Sequence, residues 1–465
     1  MWAGWVRDLA ERLFGTNGIR GIYNRELTAE TAFRIAASIG SFYSGGSILL
    51  ARDGRLSSPI ISQVVAAGLM DAGCTVYDIG LSTTPMAQYA TKTLGLDGGV
   101  MITASHNPPQ YNGLKVMGGS GVEIPREEEA RIEEIYFKAD WRMGSWRDLG
   151  ARIELNGFVE DYVAALERHV NLEALGDSKL KVVVDPANGV GSLTTPYALR
   201  RIGCTVYTVN GNIDGTFPGR DPEPLLENLQ GLCAAVKAFK ADFGVAHDGD
   251  GDRAIFVDEK GEAHWGDRSF ALVEQAFLTR NPGETIVTPV SSGKIVEDIA
   301  EKYGGRIVWT RVGSTVVSWK MLELDAKLGG EENGGIFYAP HLPVRDGAMA
   351  ALLIAEIIAE TGRSLSQLIG ELPKYYTVKS KIPCPDEVKD TVLGEITSTM
   401  EASRLETMDG VKAWFDDGSW ILIRPSGTEP IIRLFAEAST MDKAQSLIDE
   451  YRDETLRLVK RLGGS

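Results

Sequence analysis

The polarity of the chain alternates in blocks. Short apolar runs, which read as buried strands, are followed by longer stretches with apolar positions at helical spacing. Residues 28–44 predict a helix opening at Thr28, and 47–52 a strand. Residues 58–72 predict a second helix, and 75–78 a second strand. This alternation implies a largely parallel sheet with helices on its faces. The grammar then returns. Gly73-Cys74-Thr75-Val76-Tyr77 recurs as Gly203-Cys204-Thr205-Val206-Tyr207, each after a helical pattern that its glycine stops. Residues 300–308 repeat helix, glycine and strand without the same letters.

Three related α/β units with mixed, largely parallel sheets are therefore expected, with coincidence as the alternative for the five-letter match. Shifts in composition divide the chain into 1–155, 156–260, 261–373 and 374–465. The last segment changes character after Pro373. Short strand patterns with proline between them predict a smaller α+β unit, closed by a helix over 441–461 that carries Ala444, Leu447, Ile448 and Tyr451 on one face. At the other end, Trp2, Trp5, Val6, Leu9 and Leu13 fall at helical spacing. That stripe is expected to pack on the body of the protein; a subunit contact in a homo-oligomer is the alternative.

Chemistry gathers where strands give way to loops. The apolar run Gly99-Val100-Met101-Ile102 leads into Thr103-Ala104-Ser105-His106-Asn107-Pro108, so Ser105 is placed at a strand end, a common position for active-site groups in open α/β sheets. A serine hydroxyl is a weak nucleophile without help, and His106 and Lys115 are the local helpers. Alone, the stretch reads equally well as a capped turn. A second stretch, Asp248-Gly249-Asp250-Gly251-Asp252-Arg253, sets three carboxylates at alternate positions. Like charges this close call for a cation, and hard oxygen ligands suit Mg²⁺ or Ca²⁺. Counted from Asp248, Glu259 stands at the twelfth position of an EF-hand. Yet Arg253 replaces the glycine that makes the EF-hand turn, and 254–257 reads as a strand, so a Mg²⁺ loop is kept.

Three weaker signals join these. The glycine-rich stretch from Phe14 to Gly21 carries Arg20, a planar donor suited to phosphate. Glu331 and Asn333, bracketed by glycines, can hydrogen-bond sugar hydroxyls, or form a solvated hairpin turn. Arg424, Ser426, Gly427 and Thr428 supply a density of donors that fits a phosphate nest. Asp346 is expected to cap a helix from Ala348 to about Glu360.

Bulk properties narrow the class. At 465 residues, 43% hydrophobic and 24% charged, this reads as an ordinary globular chain. A formal net charge of -16 argues against a nucleic-acid binder but leaves room for an anionic small substrate held by a few arginines. The four cysteines are far apart with no Cys-x-x-Cys pair, which points to a reducing cytoplasm. No run approaches the ~18 apolar residues of a membrane span, and no signal peptide is read at the start.

Taken together, the four loops around Ser105, Asp248, Glu331 and Arg424 resemble the α-D-phosphohexomutase family, over nearly the whole chain. The resemblance implies three related α/β domains and a C-terminal domain of another fold around a central cleft. It implies that Ser105 carries a phosphoryl group, and that Mg²⁺ is held by that phosphate and by Asp248, Asp250 and Asp252. Arg20 and Arg253 would lie near the transferred group, Lys115 would match a lysine considered for acid/base work, and His106 would flank the nucleophile. Glu331 and Asn333 would contact sugar hydroxyls, and Arg424, Ser426, Gly427 and Thr428 would hold the second phosphate. The implied reaction interconverts hexose 1- and 6-phosphates through a hexose 1,6-bisphosphate. Phosphomannomutase or phosphoglucomutase activity leads, with phosphoglucosamine mutase or phosphopentomutase as alternatives; a non-catalytic sugar-phosphate sensor and a phosphatase rank below. Two departures stand out: Asn333 where many bacterial relatives have serine, and Gly335 where several have histidine. This version of the loop looks archaeal. Gly251 also replaces the alanine commoner in the acidic loop, a change of one methyl that should keep the ligands.

Overall fold

The computed structural model describes residues 12–15, 17–427 and 429–463. Four sheets follow one another along the chain. In the first, strands Ser47–Arg52, Thr75–Leu81, Gly98–Ile102 and Arg152–Glu154 run parallel, and Tyr111–Gly118 and Ile19–Ile22 add on antiparallel. The second has a parallel core of Lys181–Asp185, Thr205–Thr208 and Phe243–His247, extended antiparallel by Ala254–Asp258 and Ala263–His264. The third repeats this with Thr285–Pro289, Arg306–Thr310 and Leu328–Gly330, then Ile336–Tyr338 and Leu342–Arg345. The fourth sheet, from Tyr376–Pro383 to Ile431–Ala438, is antiparallel throughout, and helix Met441–Leu462 packs on it.

The five-letter echo is structural. Gly73 and Gly203 both take positive φ (+92° and +97°), a left-handed stop that glycine adopts without a Cβ penalty. Each precedes a strand that pairs parallel with the first strand of its unit's parallel core. Gly304, at φ +70°, does the same before Arg306–Thr310. Cys74 and Cys204 are both buried behind these turns, and all four cysteines are free.

One consequence positions the chemistry. In each of the first three units one parallel strand turns back into an antiparallel neighbour, and the connecting hairpin is a loop singled out by sequence. The Ser105 loop joins Gly98–Ile102 to Tyr111–Gly118, the aspartate loop joins Phe243–His247 to Ala254–Asp258, and the Glu331 loop joins Leu328–Gly330 to Ile336–Tyr338. The fourth loop is also a hairpin, between Trp420–Pro425 and Ile431–Ala438. The amphipathic segment expected at the start lies almost wholly outside the described residues. Its last member, Leu13, is buried in the first unit's core. No helix among the described residues is long and apolar enough to cross a membrane.

Helix Gly266–Arg280 carries one polar anomaly. Glu274 is fully buried, and both its carboxyl oxygens lack a hydrogen-bond partner among the described residues. Burial alone pushes its carboxyl well above the usual range. The folded chain keeps a proton that the unfolded chain releases, so this residue erodes stability as pH rises through that interval. Glu274→Met is expected to stabilise the protein by about 1–3 kcal/mol at pH 7. Thermal melts should show a higher midpoint and a flatter decline toward alkaline pH; an unchanged midpoint would mean the carboxyl is not a burden.

Candidate active site

Ser105 follows its strand in the left-handed region, at φ +50°, and is completely buried. Its N–H donates to Thr103 Oγ1 at 2.9 Å, while Thr103 donates to Asp53 Oδ2 at 2.7 Å. Asp53 also pairs with Arg55. The Arg55 guanidinium donates to the carbonyls of Ser105, Asn107, Pro108 and Tyr111 at 2.6–3.1 Å. A loop that a turn-rich sequence would leave loose is thus clamped by one buried arginine.

The serine hydroxyl points across the boundary between units. Ser105 Oγ donates to Asp248 Oδ2 at 2.8 Å and lies 3.3 Å from His106 Nδ1. Gly249 permits the approach, since a Cβ there would stand 2.5 Å from the Ser105 carbonyl oxygen. Burial, with Arg253 and Arg20 nearby, holds the His106 imidazole well below its usual value, so it is neutral at pH 7. Arg20 reaches Asn107 Oδ1 at 2.7 Å from the strand beside the loop, and Arg253 Nε lies 4.0 Å from Asp248. The Nε groups of both arginines are buried without a hydrogen-bond partner among the described residues.

Asp248, Asp250 and Asp252 are all buried and can offer one ligand oxygen each within 4.8 Å of one another. Their electrostatics differ. Burial, then Asp252 and Asp250, push the Asp248 carboxyl well above the usual carboxylate range. For Asp250, burial and Asp252 act the same way, but Lys115 and the hydrogen bonds from Lys115 and Thr84 outweigh them and hold it low. Burial likewise opposes ionisation of Asp252, and Arg345, Lys115 and Arg253 prevail. Lys115 Nζ sits 2.8 Å from Asp250 and 3.0 Å from Asp252. Burial would deprotonate this lysine, yet Asp250, Asp252 and Glu123 keep it an ammonium. In this arrangement Lys115 is a hydrogen-bond donor and a fixed charge rather than a base. Each of Asp250 and Asp252 uses only Oδ2 in these pairs; Oδ1 of both is buried without a hydrogen-bond partner among the described residues. Orphaned carboxylate oxygens beside a third carboxylate fit a small divalent cation with oxygen preference such as Mg²⁺.

The third unit enters through Arg345, which sequence reasoning passed over. Its guanidinium lies 2.6 Å from Asp252 Oδ2 and 3.1 Å from Glu331 Oε2. Glu331 is buried, so the solvated-turn alternative does not hold for it. Asn333 is partly exposed and accepts the Gly335 N–H at 3.2 Å. The loops of the first three units are therefore in direct contact, from Ser105 through the aspartates to Glu331. Arg424 is paired instead with Asp409 at 2.8 Å, and Asp409 accepts the Val312 N–H of the third unit. Lys389 donates to the carbonyls of Ser426 and Glu429 and shapes that loop from below. Gly427 is exposed, and Thr428 lies outside the described residues.

Arg55 and Arg345 both follow or end a strand beside an Asp, in Asp53-Gly54-Arg55 and Arg345-Asp346-Gly347. That placement was the available signal. Asp346 caps its helix as expected, accepting the Met349 N–H at 3.0 Å.

Comparison with known proteins matches four family models in chain order. These are the phosphoglucomutase/phosphomannomutase alpha/beta/alpha domain I at residues 11–143, domain II at 160–261, domain III at 265–376, and the C-terminal domain at 380–454. A phosphoglucomutase/phosphomannomutase of Thermococcus kodakarensis is 42% identical over 94% of this chain and 97% of its own. A phosphoglucosamine/phosphogalactosamine mutase of Sulfurisphaera tokodaii is 44% identical over 95% of this chain and 98% of its own. Among solved structures, a phosphoglucomutase/phosphomannomutase family protein from Burkholderia thailandensis superposes with a TM-score of 0.86, at 27% identity, over 98% of this chain and 99% of its own.

Proposed function

Given that the chain belongs to the phosphoglucomutase/phosphomannomutase family, we propose that it is a phosphohexomutase, an intramolecular phosphotransferase that interconverts hexose 1-phosphate and hexose 6-phosphate. The observation that carries this reading is the buried Ser105 hydroxyl 2.8 Å from the first of three clustered aspartates.

In the proposed cycle Ser105 holds a phosphoryl group. The bond from phosphorus to Ser105 Oγ breaks as one forms to the free hydroxyl oxygen of the sugar monophosphate, whose proton passes to a base. The product, a hexose 1,6-bisphosphate, turns end for end and returns its other phosphoryl group to Ser105. Mg²⁺, held by the Ser105 phosphate with Asp248, Asp250 and Asp252, would neutralise charge on the phosphoryl oxygens. Arg20 and Arg253 have buried donors to spare for the same oxygens. Neutral His106 is within reach of the Ser105 oxygen, and the Lys115 ammonium stands by the aspartates as donor. Glu331 and Asn333 are assigned to sugar hydroxyls. Arg424, Ser426, Gly427 and Thr428 are assigned to the phosphate that is not being transferred. Unit limits of 155/156, 260/261 and 373/374 are proposed, with strand Ala263–His264 pairing back across the second. A cytoplasmic site of action is in keeping with four buried, unbridged cysteines.

Mannose and glucose phosphates are the leading substrates. Glucosamine phosphate is the second reading, favoured by the Sulfurisphaera tokodaii relative. A coupled assay with Mg²⁺ and catalytic bisphosphate, run across mannose, glucose, glucosamine and ribose 1-phosphates, is expected to give the highest kcat/KM with mannose or glucose. No turnover of any of the four would overturn the assignment.

A further inference from the structure

Arg345 and Gly335 are linked by volume. Gly335 lies outside the left-handed region, so its backbone does not call for glycine. Space does: a Cβ at 335 would stand 2.5 Å from Arg345 Cδ, 2.9 Å from its Cγ and 3.1 Å from Glu331 Oε2. The stem of Arg345 fills the place a side chain at 335 would take. An arginine from the neighbouring strand, paired at Phe337↔Arg345, has come into that place.

That arginine is fully committed. It is only 5% exposed, and a buried guanidinium is tolerated only when its donors meet acceptors. One terminal nitrogen goes to Asp252 in the metal loop of the second unit, the other to Glu331 in the sugar loop of the third. Its planar fork suits two carboxylates at once, which a lysine cannot serve equally. Burial raises the Glu331 carboxyl and Arg345 opposes that, so the arginine also helps keep Glu331 an acceptor.

We propose that Arg345 is a positioning residue that sets the sugar-gripping Glu331 in register with Asp252, and that Gly335 is glycine solely to admit it. The inference rests on the phosphohexomutase reading, since Glu331 has a sugar to grip only there. It gives this chain a way to tie sugar recognition to the phosphoryl-transfer centre without a side chain at 335.

A double-mutant cycle tests it: wild type, Gly335→Ala, Arg345→Ala and the double variant, assayed for kcat and KM with a hexose 1-phosphate and for Mn²⁺ affinity by electron paramagnetic resonance on the substrate-free proteins. Each single change is expected to lower kcat/KM about 10–100-fold, partly as a raised KM. The double variant should fall no further than Arg345→Ala, because Gly335 has no stem to admit once the arginine is gone. Mn²⁺ affinity should shift in both single variants and no further in the double. A wild-type-like Gly335→Ala, or losses that multiply in the double variant, would overturn the inference. Should Arg345→Ala fail to fold, Arg345→Ser, which also lacks the stem, takes its place in the cycle, with the same non-additivity expected. If the wild type turned over no sugar phosphate, the functional reading would fail while the Mn²⁺ cycle still tested the coupling.

Discussion

Replacing Ser105 by alanine is expected to lower turnover of hexose phosphates by on the order of 10⁴-fold or more, the scale seen when a nucleophile is removed from a unit that acts together. The size follows from convergence. Ser105 Oγ is the hydroxyl that meets Asp248, and nothing in the clamp around it depends on that oxygen. The Ser105 N–H bonds to Thr103, and the Ser105 carbonyl to Arg55, through the backbone. Alanine takes the left-handed φ of +50° at a cost close to that of serine. The variant should therefore fold, keep its Mn²⁺ site and fail only at chemistry. The measurement is the coupled assay with excess bisphosphate, beside intact-mass analysis of both proteins after incubation with it. Wild type should gain one phosphoryl mass, and Ser105→Ala none. Substantial residual turnover in Ser105→Ala would remove the serine from the mechanism. A wild type that never takes up the group would return the protein to the class of sugar-phosphate sensors.

What the sequence disclosed about this centre, and what it withheld, divides along the range of the interactions. The loops were legible because each is local: an apolar strand, a run of glycine and polar residues, another strand. The hairpins at Ser105, Asp248 and Glu331 all follow that pattern. The echo between Cys74 and Cys204 was legible for the same reason, as each marks one helix, one left-handed glycine and one strand. Arg345 was not, because its meaning lies in Asp252, 93 residues away in the chain. Arg55 likewise acquires its role from carbonyls 50 to 56 residues further on. The burial of Glu331 was not legible in its own turn, because the cation that lets it be buried, Arg345, comes from another strand of the same unit, 14 residues on. The protonation of Lys115 was equally beyond local pattern, since two carboxylates of another unit decide it.

Those long-range pairings make the aspartates unequal, and the inequality gives the second large expectation. Asp252 balances two buried cations, Lys115 and Arg345. Its carboxyl is held low, so its contribution to stability is present above the usual carboxylate range and is lost as pH falls below it. Asp252→Asn, nearly identical in shape, should strand those cations and cost about 3–5 kcal/mol. Asp248 is the opposite case. Burial and its two acidic neighbours disfavour its charge, so the metal-free protein loses stability there as pH rises from the usual carboxylate range toward the native value. Asparagine at 248 keeps an acceptor for the Arg253 N–H and can donate to Ser105 Oγ, while removing the repulsion. In EDTA at neutral pH, then, Asp248→Asn is expected to melt above wild type and Asp252→Asn well below it. Both should be nearly inactive and both should bind Mn²⁺ more weakly, because each removes a charged oxygen from the cluster. Melts in which the two variants shift in the same direction would mean that the three carboxylates share their charge evenly, and the division of labour drawn from Lys115 and Arg345 would be wrong.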